Sequence, residues 1–328
     1  MSTSAPALGP AGGPGSFEFC GLRLAHRVIN GSGTFDAIAA RRAFGAALEQ
    51  DFPFAAYVSK TITLQPRAGN PPPRLWEAAG GLINSIGLPN KGLDGYLAED
   101  LPQLGAFHAR VPGEPDERMP VPLITNVMGS TAEELAALVD ACQRRDEIAA
   151  IELNVSCPNV KTGLDIGADP TLLEHVVTAC RARTQKPLIV KLTPNTADVA
   201  ACALAAEAGG ADAVSLINTL RAMALEPAGG ARAHGSAGGR GGVAPGARRP
   251  WLGGGTGGLS GPAIRNVALA QVAAVAARVS VPVVGMGGVQ SAEHARELLE
   301  VGATLVAVGT ESFRDPTVGA KVARALKD

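Results

Sequence analysis

A cysteine between two asparagines is the residue of this sequence best placed to do chemistry. Cys157 lies in Asn154-Val-Ser-Cys-Pro-Asn159, directly after a short apolar run. A thiol with an ordinary pKa of ~8.5 is only a few per cent thiolate at neutral pH, so nearby cations or a bound substrate must help it act as a base. A loop cysteine taken alone is more often inert. Its position beside the asparagines favours a general base.

The other four cysteines predict no chemistry. They are scattered, no two form a C-x-x-C pair, and the five histidines are also dispersed. Such a set argues against a disulfide framework and against a zinc or iron–sulfur cage within this chain, so we predict no metal site. Cys142, Cys180 and Cys202 lie in Ala-rich helical stretches, which predicts small core residues.

Lysines and asparagines recur where predicted strands end. Lys60 and Lys191 follow buried strands, a costly place for a cation unless an anionic ligand compensates it, although both could be snorkelling surface lysines. Asparagine side chains both donate and accept, which suits a flat heterocycle with alternating C=O and N–H edges better than a sugar or a metal. The asparagines concerned are Asn126, Asn154 and Asn218 at strand ends, together with Asn84 in the long stretch after strand two.

Glycines follow the last two predicted strands, at Gly287-Gly288 and Gly309-Thr310, and Gly261 precedes a helix. Bare backbone N–H groups and a helix N-terminus commonly bind phosphate at these places in barrels. Taken alone, the glycines could mark nothing more than tight turns. With the lysines and asparagines, they predict a phosphate-bearing cofactor.

Short apolar runs that alternate with helical stretches must position these residues. Near-continuous apolar strands predict a parallel sheet buried on both faces. Eight such units favour a closed (β/α)8 barrel, whose chemistry lies at the carboxyl ends of the strands. A doubly wound sheet is the alternative, but no G-x-G-x-x-G follows the first strand. The predicted strands are Val28–Gly31, Ala55–Ser59, Leu123–Val127, Ala150–Val155, Leu188–Leu192, Ala213–Ile217, Val283–Gly285 and Leu305–Val308. The predicted helices are Asp36–Gln50, Thr131–Arg145, Pro170–Thr184, Ala197–Ala208, Ala263–Val279, Ala292–Val301 and Pro316–Lys327.

Two stretches interrupt the repeat. Thr63–Leu101 is a long excursion after strand two, and loops of that length are usually functional. A Gly/Arg-rich insertion follows strand six, and its residues 227–250 contain no acidic residue, which predicts a mobile segment. Residues 1–16 have the composition of a disordered tail. We therefore expect one domain over residues 17–328.

The charge balance excludes several kinds of partner. With 29 basic and 30 acidic residues, the formal net charge is -1, which provides no field for gathering nucleic acid or anionic membrane. No basic segment followed by an apolar run begins the chain, so neither a signal peptide nor a membrane span is predicted. We expect a cytoplasmic protein that binds small molecules.

From about Val28 onward, the sequence resembles the class 1 dihydroorotate dehydrogenases. The segments that carry the resemblance include Ser59-Lys-Thr-Ile-Thr63, Asn84-Ser-Ile-Gly-Leu88, Glu152-Leu-Asn-Val-Ser-Cys-Pro-Asn159 and Gly255-Thr-Gly-Gly-Leu-Ser-Gly-Pro262. A cysteine rather than a serine at position 157 resembles class 1 and not the membrane-associated class 2. The stretch from Gly255 is more similar to the NAD-linked 1B subclass than to the fumarate-linked 1A subclass.

This resemblance implies FMN as cofactor and the oxidation of (S)-dihydroorotate to orotate in de novo pyrimidine (UMP) biosynthesis. Cys157 would remove the C5 proton while hydride passes from C6 to flavin N5. Lys191 near the pyrimidine end of the flavin would stabilise its anionic reduced form. The implied cofactor-binding residues are Ser32, Lys60, Thr61, Asn126, Asn154, Lys191, Ile217, Gly261, Gly287, Gly288, Gly309 and Thr310. The implied substrate-binding residues are Lys60, Asn84, Ser85, Ile86, Gly87, Leu88, Asn154, Asn159, Asn218 and Thr219.

The resemblance also implies partners. The barrel would form a homodimer core within a heterotetramer, together with an electron-transfer subunit that carries FAD and a 2Fe-2S cluster and passes electrons to NAD. The insertion after strand six is longer than the usual link of the family. It is either a tolerated insertion or a segment whose arginines contact the partner or cover the site.

Three other functions remain open. A related flavin barrel could act on dihydropyrimidines such as dihydrouracil with the same cysteine and asparagines. A lyase could use Lys191 as a Schiff-base amine beside a phosphate site. A catalytically dead binding scaffold is disfavoured because every motif residue is intact.

Overall fold

The computed structural model describes residues 16–114, 116–155, 166–227 and 248–326. Sixteen strands lie within these ranges, and eight of them belong to one parallel sheet. In chain order the strands are β1 (Phe17–Phe19), β2 (Leu22–Leu24), β3 (Val28–Asn30), β4 (Tyr57–Val58), β5 (Leu75–Ala78), β6 (Gly81–Asn84), β7 (His108–Arg110), β8 (Arg118–Pro120), β9 (Leu123–Val127), β10 (Ala150–Asn154), β11 (Leu188–Lys191), β12 (Ala213–Leu216), β13 (Leu220–Ala222), β14 (Gly257–Ser260), β15 (Val283–Met286) and β16 (Leu305–Val308).

The parallel sheet has the order β3-β16-β15-β12-β11-β10-β9-β4, in which successive sheet strands from β4 to β16 pair along the chain and β16 pairs with β3. At the seam between β3 and β4, the Ala55 amide donates to the Val28 carbonyl at 2.9 Å. The Asn30 side chain exchanges two hydrogen bonds of 2.8 Å with the backbone of Val58. A side chain thus supplies the ladder bonds that close the seam. The predicted (β/α)8 barrel is confirmed, and all eight predicted strands are barrel strands.

Helices follow the barrel strands and cover the outside of the sheet. The predicted helix Asp36–Gln50 is wrong as one element, because it breaks at Gly45, which has a φ of +57°. The helices are α1 (Ala37–Phe44), α2 (Ala46–Gln50), α3 (Gly92–Gly95), α4 (Ala132–Gln143), α5 (Pro170–Arg181), α6 (Val199–Ala208), α7 (Arg265–Ala276), α8 (Ala292–Glu300) and α9 (Val318–Ala325). Shorter helical turns span Tyr96–Asp100, Leu101–Gln103, Ile166–Ala168, Pro262–Ile264 and Thr310–Phe313.

Side-chain caps fix where several of these helices begin. The Asp169 carboxylate accepts hydrogen bonds from the first free N–H groups of α5, and Pro170 occupies the first helical position. Asp198 caps α6 in the same way, and Ser291 caps α8. These caps set the strand-to-helix turns on the face where the strands end.

The barrel interior is apolar at the amino ends of its strands. The hairpin β1–β2 closes this end with Phe19 and Leu24, which pack against interior side chains such as Ile29, Ile124 and Ile189. The outward-facing residues of the strands form a second and larger core with the helices. The hairpin therefore seals the amino-terminal end, opposite the predicted site.

The excursion after β4 is structured. Its strands β5 and β6 join β14 and β13 in an antiparallel sheet of order β13-β14-β6-β5, with Asn84 opposite Gly258. Behind this sheet, Trp76 and Trp251 pack edge to face with ring centroids 5.6 Å apart. Of the predicted insertion, Pro250 pairs with Leu225. Residues 228–247, like the predicted tail up to residue 15, lie outside the described ranges.

Candidate functional site

Interior side chains change from apolar to polar along the strands. On β10, Ala150 is followed on the same face by Glu152 and then Asn154, and on β11 Ile189 is followed by Lys191. The register places Asn154 opposite Lys191. The carboxyl-terminal half of the barrel interior is therefore polar, and a cavity lies directly above it.

The cavity brings together most of the predicted site residues, although they are distant in the sequence. The predicted residues that line it are Ser32, Lys60, Thr61, Asn84, Ile86, Leu88, Asn154, Lys191, Ile217, Asn218, Thr219, Gly261, Gly287, Gly288, Gly309 and Thr310. Asn126, Ser85 and Gly87 do not line it. Cys157 and Asn159 lie outside the described residues.

Lys191 is the most informative side chain of the cavity. It is 6% exposed. Within the described part of the chain, no carboxylate forms an ion pair with it and its ammonium has no hydrogen-bond partner. Burying a cation without compensation is costly. The arrangement is that of a site built for an anionic or electron-rich ligand. Lys60, by contrast, is exposed at the rim.

A chain of polar side chains crosses the ends of β3, β4 and β10. The Asn154 amide donates to the Thr61 hydroxyl at 3.3 Å, and that hydroxyl lies 3.4 Å from the Ser32 hydroxyl. Ser32 donates in turn to the carbonyl of Ser59 at 2.8 Å. These bonds hold three polar groups in fixed positions along one wall of the cavity.

An adjoining wall contains glycine turns, since Gly309 follows β16, the strand that pairs with β3. Gly261 and Gly288 have φ values of +94° and +70°, which side chains rarely adopt, and a Cβ on Gly288 would lie 3.0 Å from the Gly261 carbonyl oxygen. Among the described residues, the N–H groups of Gly288 and Gly309 have no hydrogen-bond partner. Free N–H groups in such turns form anion-binding concavities. This wall can hold a phosphate.

The antiparallel sheet supplies the roof. Asn84 on β6 lines the cavity and donates to the Gly258 carbonyl at 3.1 Å. Ser85 points away from the cavity, is fully buried and donates to the Thr256 carbonyl at 2.8 Å. Gly87 packs against Asn70, where a Cβ would lie 2.5 Å from the backbone nitrogen. Ser85 and Gly87 thus anchor the loop that carries the lining residues.

A second loop is fixed in the same way near the end of β12. The Asn218 side chain accepts from the Thr219 N–H at 2.8 Å. Asn195, which does not line the cavity, donates to the Thr219 carbonyl at 3.0 Å and accepts from the Arg221 N–H at 2.8 Å. Both predicted residues are therefore held at the cavity wall.

Sequence reasoning missed Glu152 and the apolar cavity walls. Glu152 is 3% exposed and accepts hydrogen bonds from Asn126 and Ser215. A carboxylate inside an apolar strand, two positions before Asn154, was the signal that could have found it. No comparable sequence signal identifies the apolar walls, because their residues are ordinary apolar residues from several different elements. The unpredicted lining residues include Leu75, Leu82, Ile264, Met286, Val289 and Phe313.

The cysteines of the described helices are core residues, as predicted. Burial raises the pKa of Cys142 and of Cys180 to about 12 and also raises the pKa of Cys202. All three are buried. Thiols of this kind stay protonated at neutral pH and do not act as bases.

The fold and the cavity together define a (β/α)8 barrel with a ligand site at the carboxyl ends of its strands. The family model described as dihydroorotate dehydrogenase matches residues 16–328. This chain belongs to the dihydroorotate dehydrogenase family, whose members are generally flavin-dependent oxidoreductases. No helix within the described residues is both long and apolar enough to span a membrane.

Curated relatives share most of the chain. The chain is 41% identical over 316 residues to the dihydroorotate dehydrogenase B (NAD(+)) catalytic subunit of Trichlorobacter lovleyi, with 95% of this chain and 92% of the relative covered. The protein of the same name from Geotalea daltonii is 40% identical, with the same coverage. The Desulforudis audaxviator protein of that name is 40% identical over 94% of this chain and 89% of its own length.

Proposed function

We propose that this chain binds FMN and oxidises (S)-dihydroorotate to orotate, the redox step of de novo pyrimidine biosynthesis. One observation carries the proposal: one cavity joins the glycine turns and three asparagines distant in sequence to a buried Lys191 that has no ion-pair partner among the described residues. The relatives that share about 40% of the sequence are named for this activity.

The cavity residues fit the two ends of FMN. The free N–H groups of Gly288 and Gly309 suit its phosphate. Lys191, which lines the cavity and is buried, suits the carbonyl edge of the ring system. The flavin held there would supply the acceptor for the hydride from C6 of the substrate.

The remaining polar residues suit the substrate. Lys60 at the rim is placed to pair with the carboxylate of dihydroorotate. Asn84, Asn154 and Asn218 offer both donors and acceptors to the amide edges of its ring. Lys191 stabilises negative charge that develops at the pyrimidine end of the cofactor.

Cys157 is proposed as the base that takes the C5 proton. It lies outside the described residues, but its segment starts from Asn154, which lines the cavity. Val155, the last described residue before it, is buried. Cys157 therefore lies three positions after Asn154, a residue that lines the cavity. As a general base it would form no covalent intermediate.

The assembly is part of the proposal. We assign residues 17–328 to a single FMN-binding barrel that forms a homodimer in the cytoplasm. The relatives are named as catalytic subunits of an NAD(+)-linked enzyme. Those names support a partner subunit and favour NAD over fumarate as the final acceptor. A heterotetramer in which that partner carries FAD and a 2Fe-2S cluster is proposed from the sequence resemblance alone. Deletion of residues 228–248 tests whether the insertion contributes to turnover or partner binding.

A comparison of turnover with two substrates tests the proposed activity. The purified protein is expected to contain FMN and to turn over dihydroorotate at least tenfold faster than dihydrouracil. Preferred turnover of dihydrouracil would assign the chain to the related dihydropyrimidine enzymes. A colourless protein that borohydride traps with its substrate would indicate the Schiff-base lyase instead.

A further inference from the structure

A second cavity lies on the outside of the barrel, between the helices α2 and α9 and the strand β7. Its volume of about 620 Å³ is within the range of small-molecule sites, which is roughly 300–1,000 Å³. No residue lines both this cavity and the one at the carboxyl ends of the strands. We call it the side cavity, and the lining residues that matter most are His26, Phe35, Phe44, Phe52, Arg110 and Arg324.

The walls of the side cavity are mainly apolar and are held by packing. Phe35 and Phe52 meet edge to face with ring centroids 5.5 Å apart, and both are buried. Phe44, on the neighbouring helix, lines the same cavity and is 55% exposed. Covering such an exposed aromatic surface with an apolar group is favourable. The walls therefore suit the apolar body of a ligand.

His26 contributes an unpaired hydrogen-bond donor to the side cavity. Burial lowers the pKa of His26 to about 4, so the ring is neutral at neutral pH. Its Nδ1 accepts from the Val28 N–H at 3.2 Å, which places the single ring proton on Nε2. Among the described residues no acceptor meets this Nε2–H, although His26 is only 9% exposed. Nε2 is nevertheless not fully buried, so a ligand of the cavity can supply the acceptor.

The charged residues of the side cavity leave one cation without a counter-ion. Asp51 is the only carboxylate among its described lining residues, and it already pairs with Arg110 at 2.9 Å and with Arg118 at 3.2 Å. Arg324 is exposed and forms no ion pair within the described part of the chain. Its Nε donates only to the Ala320 carbonyl of its own helix, at 3.2 Å. A complementary ligand therefore carries a negative charge.

We propose that the side cavity binds a medium-chain carboxylate, whose chain lies against the phenylalanines and whose carboxylate accepts a hydrogen bond from His26 Nε2–H. Arg324, on a flexible side chain, pairs with the charge of the ligand. The helix α9 packs against β3, which begins two residues after His26. From Thr317 to Arg324, both of which line the cavity, the helix rises about 10 Å, a length that an octanoate chain can span. The inference does not depend on the proposed activity.

Calorimetric titration of the purified protein with octanoate, below the concentration at which octanoate forms micelles, tests the site. Saturable binding is expected. Hexanoate should bind roughly 10-fold more weakly, because it buries two fewer methylene groups. Octan-1-ol has the same chain without the charge and should bind at least about fivefold more weakly. No saturable binding of octanoate, or equal affinity for octan-1-ol, would overturn the proposal.

Two substitutions inside the side cavity locate the bound octanoate. Ala320→Trp fills the cavity from α9 and should abolish binding. His26→Asn retains an acceptor for the Val28 N–H but lacks Nε2, and it should raise the Kd of octanoate roughly 10- to 100-fold. Unchanged affinity in either variant would place octanoate elsewhere and contradict the inference. Melting temperatures show whether each variant folds.

Arg324→Gln changes an exposed helix end and decides the matter if the interior variants do not fold. It should raise the Kd of octanoate about two- to fivefold, since an exposed ion pair contributes little. Arg278→Gln is the matched control, because Arg278 is also exposed just after a helix and lines neither cavity. Its Kd should equal that of wild type. An equal loss in both variants would mean a general effect of surface charge and would refute the role of Arg324.

Analytical ultracentrifugation separates a ligand site from a contact between copies of the chain. Octanoate should leave the mass of the protein unchanged, and so should Ala320→Trp. A variant of altered mass, in a protein that does not bind octanoate, would make the side cavity an interface between copies and the proposal would fail. Octanoate binding in a protein that does not oxidise dihydroorotate would refute the proposed activity and leave the side cavity as a ligand site.

Discussion

The two ends of the barrel interior are built from the same strands and have opposite properties. At the amino end, Phe19 and Leu24 of the β1–β2 hairpin pack against apolar interior side chains such as Ile29, Ile124 and Ile189. At the carboxyl end, Glu152, Asn154 and Lys191 occupy the interior positions, and a cavity replaces the packed core. We expect the amino end to contribute mainly stability and the carboxyl end to contribute the chemistry.

The difference shows that side-chain choice along a strand, and not the backbone, divides stability from function. Barrel strands alternate between interior and exterior, so a strand of five residues such as β10 contributes to both ends. Apolar burial at the amino end offsets the cost of buried polar groups at the carboxyl end. Substitutions at the two ends should therefore affect different measurements.

Cysteine replacement should produce the largest contrast. Cys157→Ala should slow reduction of the bound flavin by about 10²–10⁴-fold while FMN stays bound, because a general base contributes that much. Cys142→Ala removes a buried thiol whose pKa is raised to about 12, and it should leave the rate unchanged. Stopped-flow absorbance measures both rates. Reduction of Cys157→Ala at the wild-type rate would disprove the assignment of the base.

Truncation at the amino end should cost stability and spare function. Phe19 is 2% exposed, and Phe19→Ala should lower the free energy of unfolding by about 3–5 kcal/mol. Urea unfolding measures this, with the exposed neighbour Glu18→Ala as a control near wild type. The KM for dihydroorotate should not change. If Phe19→Ala raised the KM without lowering the free energy of unfolding, the two ends of the barrel would not divide stability from substrate binding.

Acid should weaken the amino end through His26. Burial lowers the pKa of His26 to about 4, and its Nδ1 accepts from the Val28 N–H at 3.2 Å. The unfolded chain, with a pKa near 6.5, binds the proton more readily. Stability is therefore full above pH ~6.5 and falls by about 3 kcal/mol as the pH drops towards 4. Thermal unfolding of His26→Asn should show a flatter pH dependence over this range. An equally steep profile in the variant would contradict the prediction.

Removing the buried charge of Lys191 at the carboxyl end should change stability less than the substitutions at the amino end, and it should stabilise the protein. Lys191→Met should raise the free energy of unfolding of the apo-protein by about 1–3 kcal/mol, because it removes a buried cation that has no ion-pair partner among the described residues. The same variant should bind FMN about 10- to 100-fold more weakly. Lys60→Met, at the exposed rim, should change stability by less than about 0.5 kcal/mol. Calorimetry and flavin titration measure the two effects, and a destabilised apo-protein in Lys191→Met would refute the account.

Local patterns in the sequence predict the barrel well because each strand is a short apolar run with its own helix. Asn154 and Lys191 were predictable for the same reason, since each ends such a run. The antiparallel sheet over the cavity was not predicted. It pairs Asn84 with Gly258, 174 residues apart, and no local pattern encodes that contact.

Other differences have local causes. The β1–β2 hairpin was missed because its strands have three residues each, too few for a visible alternation. Gly45 marked the break between α1 and α2, and the helical pattern on both sides concealed it. Asn126 was expected at the cavity, but it lies in the interior with its amide bound to Glu152. Sequence identifies polar strand ends, but which of them reach the surface depends on the register between strands.

The visible spectrum of the purified protein tests the central claim most directly. We expect the purified protein to show the visible absorbance of an oxidised flavin. Addition of dihydroorotate without oxygen should bleach this absorbance. A flavin spectrum that does not change on addition of dihydroorotate would contradict the claim that the carboxyl end of this barrel oxidises that substrate.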